Sequence, residues 1–130
     1  MNYCAWKNIE ETEELREYEK VYRETNRFGK TLGNIVLCRE VLTKQPRNYQ
    51  WMLNLSYSLI QYNDTEEHNK YSLEHGFVEE AIHICERILE DCTIDSIRHS
   101  AIQILCYSYN GVGKEDLALK LANEMPDIYL

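Results

Sequence analysis

Residues 81–89 read Ala-Ile-His-Ile-Cys-Glu-Arg-Ile-Leu, and the spacing of apolar residues in this stretch decides the fold. Apolar side chains recur at steps of three and four residues, which places them on one face of a helix. They are Ala81, Ile82, Ile84, Cys85, Ile88 and Leu89. His83, Glu86 and Arg87 fall between them, on the side that we expect to face water. The stretch therefore predicts an amphipathic helix with one core-facing stripe.

The same apolar face occurs twice more in the chain. Residues 34–42 carry it 47 positions earlier, and residues 118–125 carry a weaker copy 37 positions later. Leu55-Ser-Tyr-Ser-Leu59 also matches Leu105-Cys-Tyr-Ser-Tyr109, with an offset of 50. These offsets agree with a period of about 34 residues, one insertion of about 13 and one of about 3. A chance set of helices would not satisfy all three offsets, so we infer a helical repeat.

The repeat predicts six helices in three pairs, at about 9–46, 47–93 and 94–126. We expect the first two helices at about 9–27 and 32–44, and the third to begin at about 48. The fourth should cross 81–92, the fifth should begin at about 94–97, and the sixth should cross about 114–124. The larger insertion falls at about 62–75 and should form a lengthened loop or an extra helical turn. Only 2 Pro and 5 Gly among 130 residues favour helix over strand. The predicted fold class is therefore all-α, in a single domain.

Charge and apolar content limit the function. The formal net charge of -8 opposes direct binding to nucleic acid, because most of the surface would repel phosphates. No apolar run of about 18 residues is present, and residues 1–8 lack the apolar segment of a signal peptide. The cysteines are odd in number and include no Cys-x-x-Cys pair; they are Cys4, Cys38, Cys85, Cys92 and Cys106. We expect reduced thiols, used as small core residues, in a cytoplasmic protein that does not enter a membrane.

No pattern of catalytic or metal-binding residues emerges from the sequence. His83 shares a helix with Glu79, Glu80 and Glu86, and His with Glu at helical spacing can bind a metal. The solvated polar face of an amphipathic helix explains the same residues. The glycines of residues 111–113 lack the strand and the following Lys-Ser/Thr of a phosphate-binding loop. We therefore expect no catalytic residue, no metal and no cofactor.

A helix pair that repeats at about 34 residues, with a small residue opening the second helix and Pro after it, resembles the tetratricopeptide repeat. The third pair matches best, through Leu105, Cys106, Tyr109, Gly113, Ala118 and Ala122. The second pair offers Leu55, Ser56, Leu59, Gly76, Ala81 and Cys85, and the first offers Tyr18, Val21, Gly29, Cys38, Val41 and Pro46. Tyr22 and Asn34 depart from the pattern, because the family has small residues there. The resemblance implies a right-handed superhelical stack of about three tetratricopeptide-like helix pairs.

Part of the second half resembles one particular setting of this repeat. Residues 81–93 (Ala-Ile-His-Ile-Cys-Glu-Arg-Ile-Leu-Glu-Asp-Cys-Thr) and 97–107 (Ile-Arg-His-Ser-Ala-Ile-Gln-Ile-Leu-Cys-Tyr) look like the C-terminal repeat region of bacterial XRE-type helix-turn-helix regulators. In that family a DNA-binding domain precedes a tetratricopeptide-like domain that dimerises or senses a peptide. Residues 1–30 hold one acidic helix and no basic trihelical pattern. The resemblance implies the regulatory part of a transcription regulator without its DNA-binding domain. The alternative is a stand-alone scaffold protein unrelated to transcription.

The repeat register predicts which residues line the concave side of such a stack, where helical-repeat proteins bind peptides. The predicted binding residues are Arg23, Asn26, Leu53, Tyr57, Gln103, Tyr107 and Asn110. The two tyrosines are placed to anchor a peptide; packing between adjacent repeats is the alternative for both. The last helix should expose Leu117, Leu121 and Met125, which form the predicted homodimer interface. The expected partners are a protein or peptide and a second copy, with no nucleic acid and no membrane.

Overall fold

The computed structural model describes residues 12–124, and across this range the chain forms seven helices and no strand. The helices are α1 (Glu13–Arg27), α2 (Thr31–Lys44), α3 (Tyr49–Gln61), α4 (Glu66–His75), α5 (Phe77–Asp91), α6 (Asp95–Gly111) and α7 (Glu115–Asn123). The prediction of an all-α chain is confirmed. The expected helix start near Ile9 and the predicted interface residue Met125 lie outside the described range. None of the described helices is long and apolar enough to cross a membrane.

Short polar side chains and glycines fix where several helices begin and end. The Thr12 hydroxyl accepts a hydrogen bond from the backbone N–H of Leu15 at 3.1 Å and so caps α1. The side chain of Asn48 caps α3 in the same way, accepting from the N–H of Trp51 at 3.2 Å. Gly76 adopts the left-handed conformation, with φ of 63°, and turns the chain directly from α4 into α5.

Helix α3 is the most deeply buried element among the described residues. It packs against α2, α5 and α6, whereas the remaining contacts are mainly between helices that are neighbours in the chain. Nine of its residues are buried: Tyr49, Trp51, Met52, Leu53, Leu55, Ser56, Ser58, Leu59 and Ile60. The buried serines donate hydrogen bonds to backbone carbonyls one turn earlier, at 2.9 Å in both cases, so their hydroxyls are satisfied without water. The core of the chain is therefore built around α3.

The apolar stripe of residues 81–89 lies on α5. Ala81, Cys85 and Ile88 are fully buried and Ile82 nearly so, whereas the side chain of His83 is 81% exposed. On α2 the corresponding residues Ile35, Cys38 and Val41 are buried as well. The predicted amphipathic faces are confirmed in both helices.

The insertion forms a ten-residue helix, α4, instead of the single extra turn or loop that we expected. Thr65 caps it, accepting from the N–H of His68 at 3.0 Å. A cluster of aromatic rings holds it against its neighbours: His68 stacks on Tyr62, directly after α3, at 4.2 Å, and within α4 His75 stacks on Tyr71 at 3.8 Å. Phe77 lies 5.6 Å from the ring of Tyr71. Ring packing thus attaches a helix whose own apolar content is low.

Two free cysteines, Cys38 and Cys85, are buried in the core as small residues, and a third, Cys106, is partly buried against it. Cys38, Cys85 and Cys106 are free thiols, and burial raises the pKa of Cys38 to about 12 and that of Cys85 to about 11. Cys92 is disulfide-bonded, so the prediction of five reduced thiols is wrong at this position. An odd count and the absence of a Cys-x-x-Cys pair do not exclude a bond between cysteines far apart in sequence. Cys4 lies outside the described residues.

The two departures from the repeat pattern fall at the contact of the first helices with α3. The Tyr22 ring packs edge-on to Trp51 with centroids 5.5 Å apart, and its hydroxyl donates to the Asn54 carbonyl at 3.5 Å. Asn34 is 1% exposed, and its amide oxygen has no hydrogen-bond partner among the described residues. A buried unpaired acceptor costs about 1–3 kcal/mol, so Asn34 lowers the stability of the first helix pair.

We predict a strong contrast between two leucine truncations. Leu59 is fully buried on α3, so Leu59→Ala should lower the free energy of unfolding by about 2–5 kcal/mol. Leu73 on α4 is 70% exposed, and Leu73→Ala should change it by no more than about 0.5 kcal/mol. Urea unfolding followed by circular dichroism measures both values. Equal losses for the two variants would contradict the central position of α3.

Candidate functional site

One strip of α3 is left uncovered by its neighbours. Four residues of this strip recur at steps of four, three and four, and each is at least partly exposed. They are Gln50, Asn54, Tyr57 and Gln61. This spacing places them on one helix face, opposite the side chains that contact α2 and α5. On α6 the residues Gln103, Tyr107 and Asn110 form a similar exposed strip. The two strips supply most of the polar groups on the surface between α3 and α6.

A cleft of about 680 Å³ lies between α3 and α6. Ten residues line it: Leu53, Asn54, Tyr57, Ile60, Gln61, Asn63, Ser100, Gln103, Ile104 and Tyr107. Aliphatic side chains from both helices form its apolar part, and amides and hydroxyls provide its polar part. None of the ten side chains carries a charge, although 28% of the residues of the whole chain are charged.

Both tyrosines of this cleft present their rings to solvent. Tyr57 is 44% exposed and Tyr107 is 55% exposed, whereas Tyr49, Tyr62 and Tyr109 are buried in the core. The hydroxyl of Tyr107 accepts a hydrogen bond from the side-chain amide of Asn63 at 3.4 Å. Packing within the protein therefore accounts for only part of the surface of these two rings. The remaining ring surface is available to a partner.

The amide side chains of the cleft differ in how far their hydrogen bonds are already used. The side-chain oxygen of Asn54 accepts from the Gln50 amide at 3.2 Å. Gln61 and Gln103 make no side-chain hydrogen bond within residues 12–124. Each free amide offers two donor hydrogens and one acceptor oxygen, which is the combination that a peptide backbone requires.

A smaller cleft of about 350 Å³ adjoins the first, between α1 and α3. Glu19, Tyr22, Arg23, Gln50 and Asn54 line it, so Asn54 belongs to both clefts. This second cleft contains one acidic and one basic side chain. The surface next to α3 is therefore uncharged on the side of α6 and charged on the side of α1.

The structure brings together four of the seven predicted binding residues. Leu53, Tyr57, Gln103 and Tyr107 line the larger cleft, and Arg23 lines the smaller one. Asn26 and Asn110 are exposed near the ends of α1 and α6 and line neither cleft.

Six lining residues are not among the seven predicted binding residues: Asn54, Ile60, Gln61, Asn63, Ser100 and Ile104. Asn54 and Gln61 share the helix face of Tyr57, so their spacing could have identified them. Ile104 lies one residue after Gln103. Asn63 follows α3 in the insertion, where a helical register does not predict the path of the chain.

The predicted dimer surface surrounds another cleft, of about 470 Å³. Leu117 is 46% exposed and Leu121 is partly buried, and both line it together with Leu89, Leu105 and Tyr109. Glu86, Glu90, Glu124 and Lys120 complete the lining. The hydroxyl of Tyr109 donates to the Glu86 carboxylate at 2.8 Å, and burial together with this contact raises the pKa of Tyr109 to about 12.

Within residues 12–124 no three His, Cys, Asp or Glu side chains converge as metal ligands would. His83, the histidine considered for such a site, points into solvent, and its ring nitrogen lies 3.8 Å from a Glu86 carboxylate oxygen. His68 pairs with Asp64 at 2.5 Å, and this hydrogen bond lowers the pKa of Asp64. That pair lies at the start of α4 and belongs to the contacts that hold this helix.

Comparison with known proteins identifies no relative. No protein-family model, no curated protein and no solved structure matches the chain.

Proposed function

We propose that this chain is a non-catalytic module that binds a peptide or a segment of another protein in the cleft between α3 and α6. The observation that carries this proposal is the cleft itself, an uncharged concave surface of about 680 Å³ with two half-exposed tyrosines and free amides. Tyrosine buries a large area at a low cost in conformational entropy, which suits it as an anchor for a partner.

The proposal includes a right-handed stack of tetratricopeptide-like helix pairs. The order of helix contacts supports it: α1 packs on α2, α2 on α3, α3 on α5, α5 on α6, and α6 on α7. The contact of α3 with α6 fits as well, because the first helices of successive pairs lie side by side in such stacks. In this arrangement α4 is an insertion between the two helices of the middle pair.

We propose as its setting the regulatory region of a cytoplasmic bacterial transcription regulator. The resemblance of residues 81–93 and 97–107 to XRE-type regulators supports this setting. Three free thiols favour a reducing compartment, and the disulfide at Cys92 is the described feature that speaks against it. The second candidate is a scaffold protein unrelated to transcription, which would use the same cleft.

Selection of short random peptides displayed on phage tests the binding function without a known ligand. Wild-type protein should enrich a related set of sequences, and Tyr57→Ala with Tyr107→Ala should abolish their binding. Both side chains are about half exposed, so we expect the double variant to keep the wild-type helical circular dichroism.

The matched control is Phe28→Ala with Leu119→Ala. Phe28 is 68% exposed and Leu119 is 64% exposed, and neither lines the cleft. This control should bind the selected peptides as wild-type does. Equal enrichment by wild-type protein and the tyrosine double variant would show that the cleft is not a binding site, and unfolding of the double variant would assign the tyrosines to the core.

We also propose that the protein forms a homodimer through α7. The exposed side chain of Leu117 and the leucines that line the cleft around it support this interface. A two-fold contact brings the same surface of both copies together, so the carboxylates of Glu86, Glu90 and Glu124 in one copy would lie near those of the other. Repulsion between them should weaken the dimer at low ionic strength.

The dimer should therefore tighten when the salt concentration rises from about 0.05 M to about 0.5 M, because salt screens this repulsion. Sedimentation equilibrium measures the dissociation constant at each concentration. Leu117→Ser should weaken the dimer, whereas Leu119→Ser, two residues away on the opposite side of α7, should not. A strict monomer at high protein concentration would refute the interface.

A further inference from the structure

The absence of charge in the larger cleft restricts what can be seated there. A charged side chain that enters an apolar cleft loses its hydration, and this loss is large unless an opposite charge compensates it. None of the ten lining residues can supply that opposite charge. The formal net charge of -8 on the whole chain adds repulsion against an acidic segment. Basic and acidic side chains are therefore both disfavoured inside the cleft.

The length of the cleft limits how many residues it seats. Its lining on α3 runs from Leu53 to Gln61, which corresponds to a rise of about 12 Å along the helix. An extended polypeptide advances about 3.3 Å per residue, so a segment lying along α3 places about four residues in the cleft.

The polar groups of the cleft match a backbone better than they match a charged terminus. Amides from Asn54, Gln61, Asn63 and Gln103 offer both donors and acceptors. No lysine or arginine is present to pair with a free carboxylate. Leu53, Ile60 and Ile104 provide the apolar surface on which aliphatic or aromatic side chains of the segment can rest.

From these properties we infer that the cleft binds an internal, extended peptide segment of about four consecutive uncharged residues, with at least one large apolar side chain among them. This inference rests on the proposed binding function and adds the chemical class of the ligand. Amide side chains of the cleft form hydrogen bonds with the backbone of the segment, and the two tyrosines contact its side chains.

Sequencing of the selected phage peptides tests this ligand class. Peptides enriched by wild-type protein should share a run of about four residues without Asp, Glu, Lys or Arg. Placing a single Asp in the middle of that run should weaken binding of the synthetic peptide by at least about tenfold, because its charge is unpaired in the cleft. Isothermal titration calorimetry measures this change.

Charge introduced into the cleft should redirect the selection. Gln103 is exposed and forms no side-chain hydrogen bond within the described range, so Gln103→Lys should fold as wild-type does. This variant should enrich Asp- or Glu-containing peptides several-fold, and Gln103→Glu should enrich Lys- or Arg-containing peptides. Asn110→Lys is the matched control, since it adds the same charge on α6 outside the cleft and should leave the selected class unchanged.

Three outcomes are distinguishable. Uncharged peptides on wild-type protein, with the redirected selection on the Gln103 variants, support the inference. Peptides that carry a fixed charged residue and still require Tyr57 and Tyr107 overturn the ligand class and leave the proposed binding function intact. No enrichment above the tyrosine double variant overturns the binding function and the ligand class together.

Discussion

Burial of α3 is the constraint on which the rest of this structure depends. Trp51 and Leu59 are almost fully covered, and α2, α5 and α6 all pack against this one helix. Full burial of a leucine-sized side chain contributes about 1.5–3 kcal/mol, and α3 supplies more buried apolar side chains than any other described helix. Its two buried serines are compatible with this position because backbone carbonyls accept their hydroxyl hydrogens. The neighbouring helices consequently take positions that cover α3 on all sides except one.

The uncovered side determines the chemistry of the candidate site. The uncovered face of α3 carries its exposed polar residues, which are Gln50, Asn54, Tyr57 and Gln61. Asn54, Tyr57 and Gln61 line the cleft with α6, and because they are two amides and a phenol, this side of the cleft is polar without being charged. The ionic groups of the protein lie elsewhere, for example in the paired contact of Arg39 with Glu80 that joins α2 to α5 at 2.6 and 2.9 Å. The exposed polar residues of the cleft and the fully buried core residues thus lie on different faces of the same helix.

Helical periodicity predicted every described helix except α4. It also predicted the buried stripes on α2 and α5, because a 3.6-residue period is a local property of sequence. It also placed Tyr57 and Tyr107 at equivalent positions, and the structure brings both to one cleft. It did not predict the full length of α4, which contacts its neighbours through His68 on Tyr62 and Tyr71 on Phe77 and not through an apolar stripe. Periodicity predicted neither the disulfide bond of Cys92 nor the unpaired amide oxygen of Asn34, because both depend on tertiary proximity. Local pattern therefore accounts for the elements, and long-range contacts account for the departures from the repeat.

Native-state amide hydrogen exchange, resolved residue by residue by NMR, tests the central position of α3 most directly. Residues in the best-packed element exchange only through global unfolding, whereas peripheral elements exchange through local opening. The structure predicts the slowest exchange in α3 and in the part of α5 that packs on it, with faster exchange in α1, α4 and α7. Exchange in α3 as fast as in α1 and α7 would contradict an arrangement in which this helix organises both the core and the cleft beside α6.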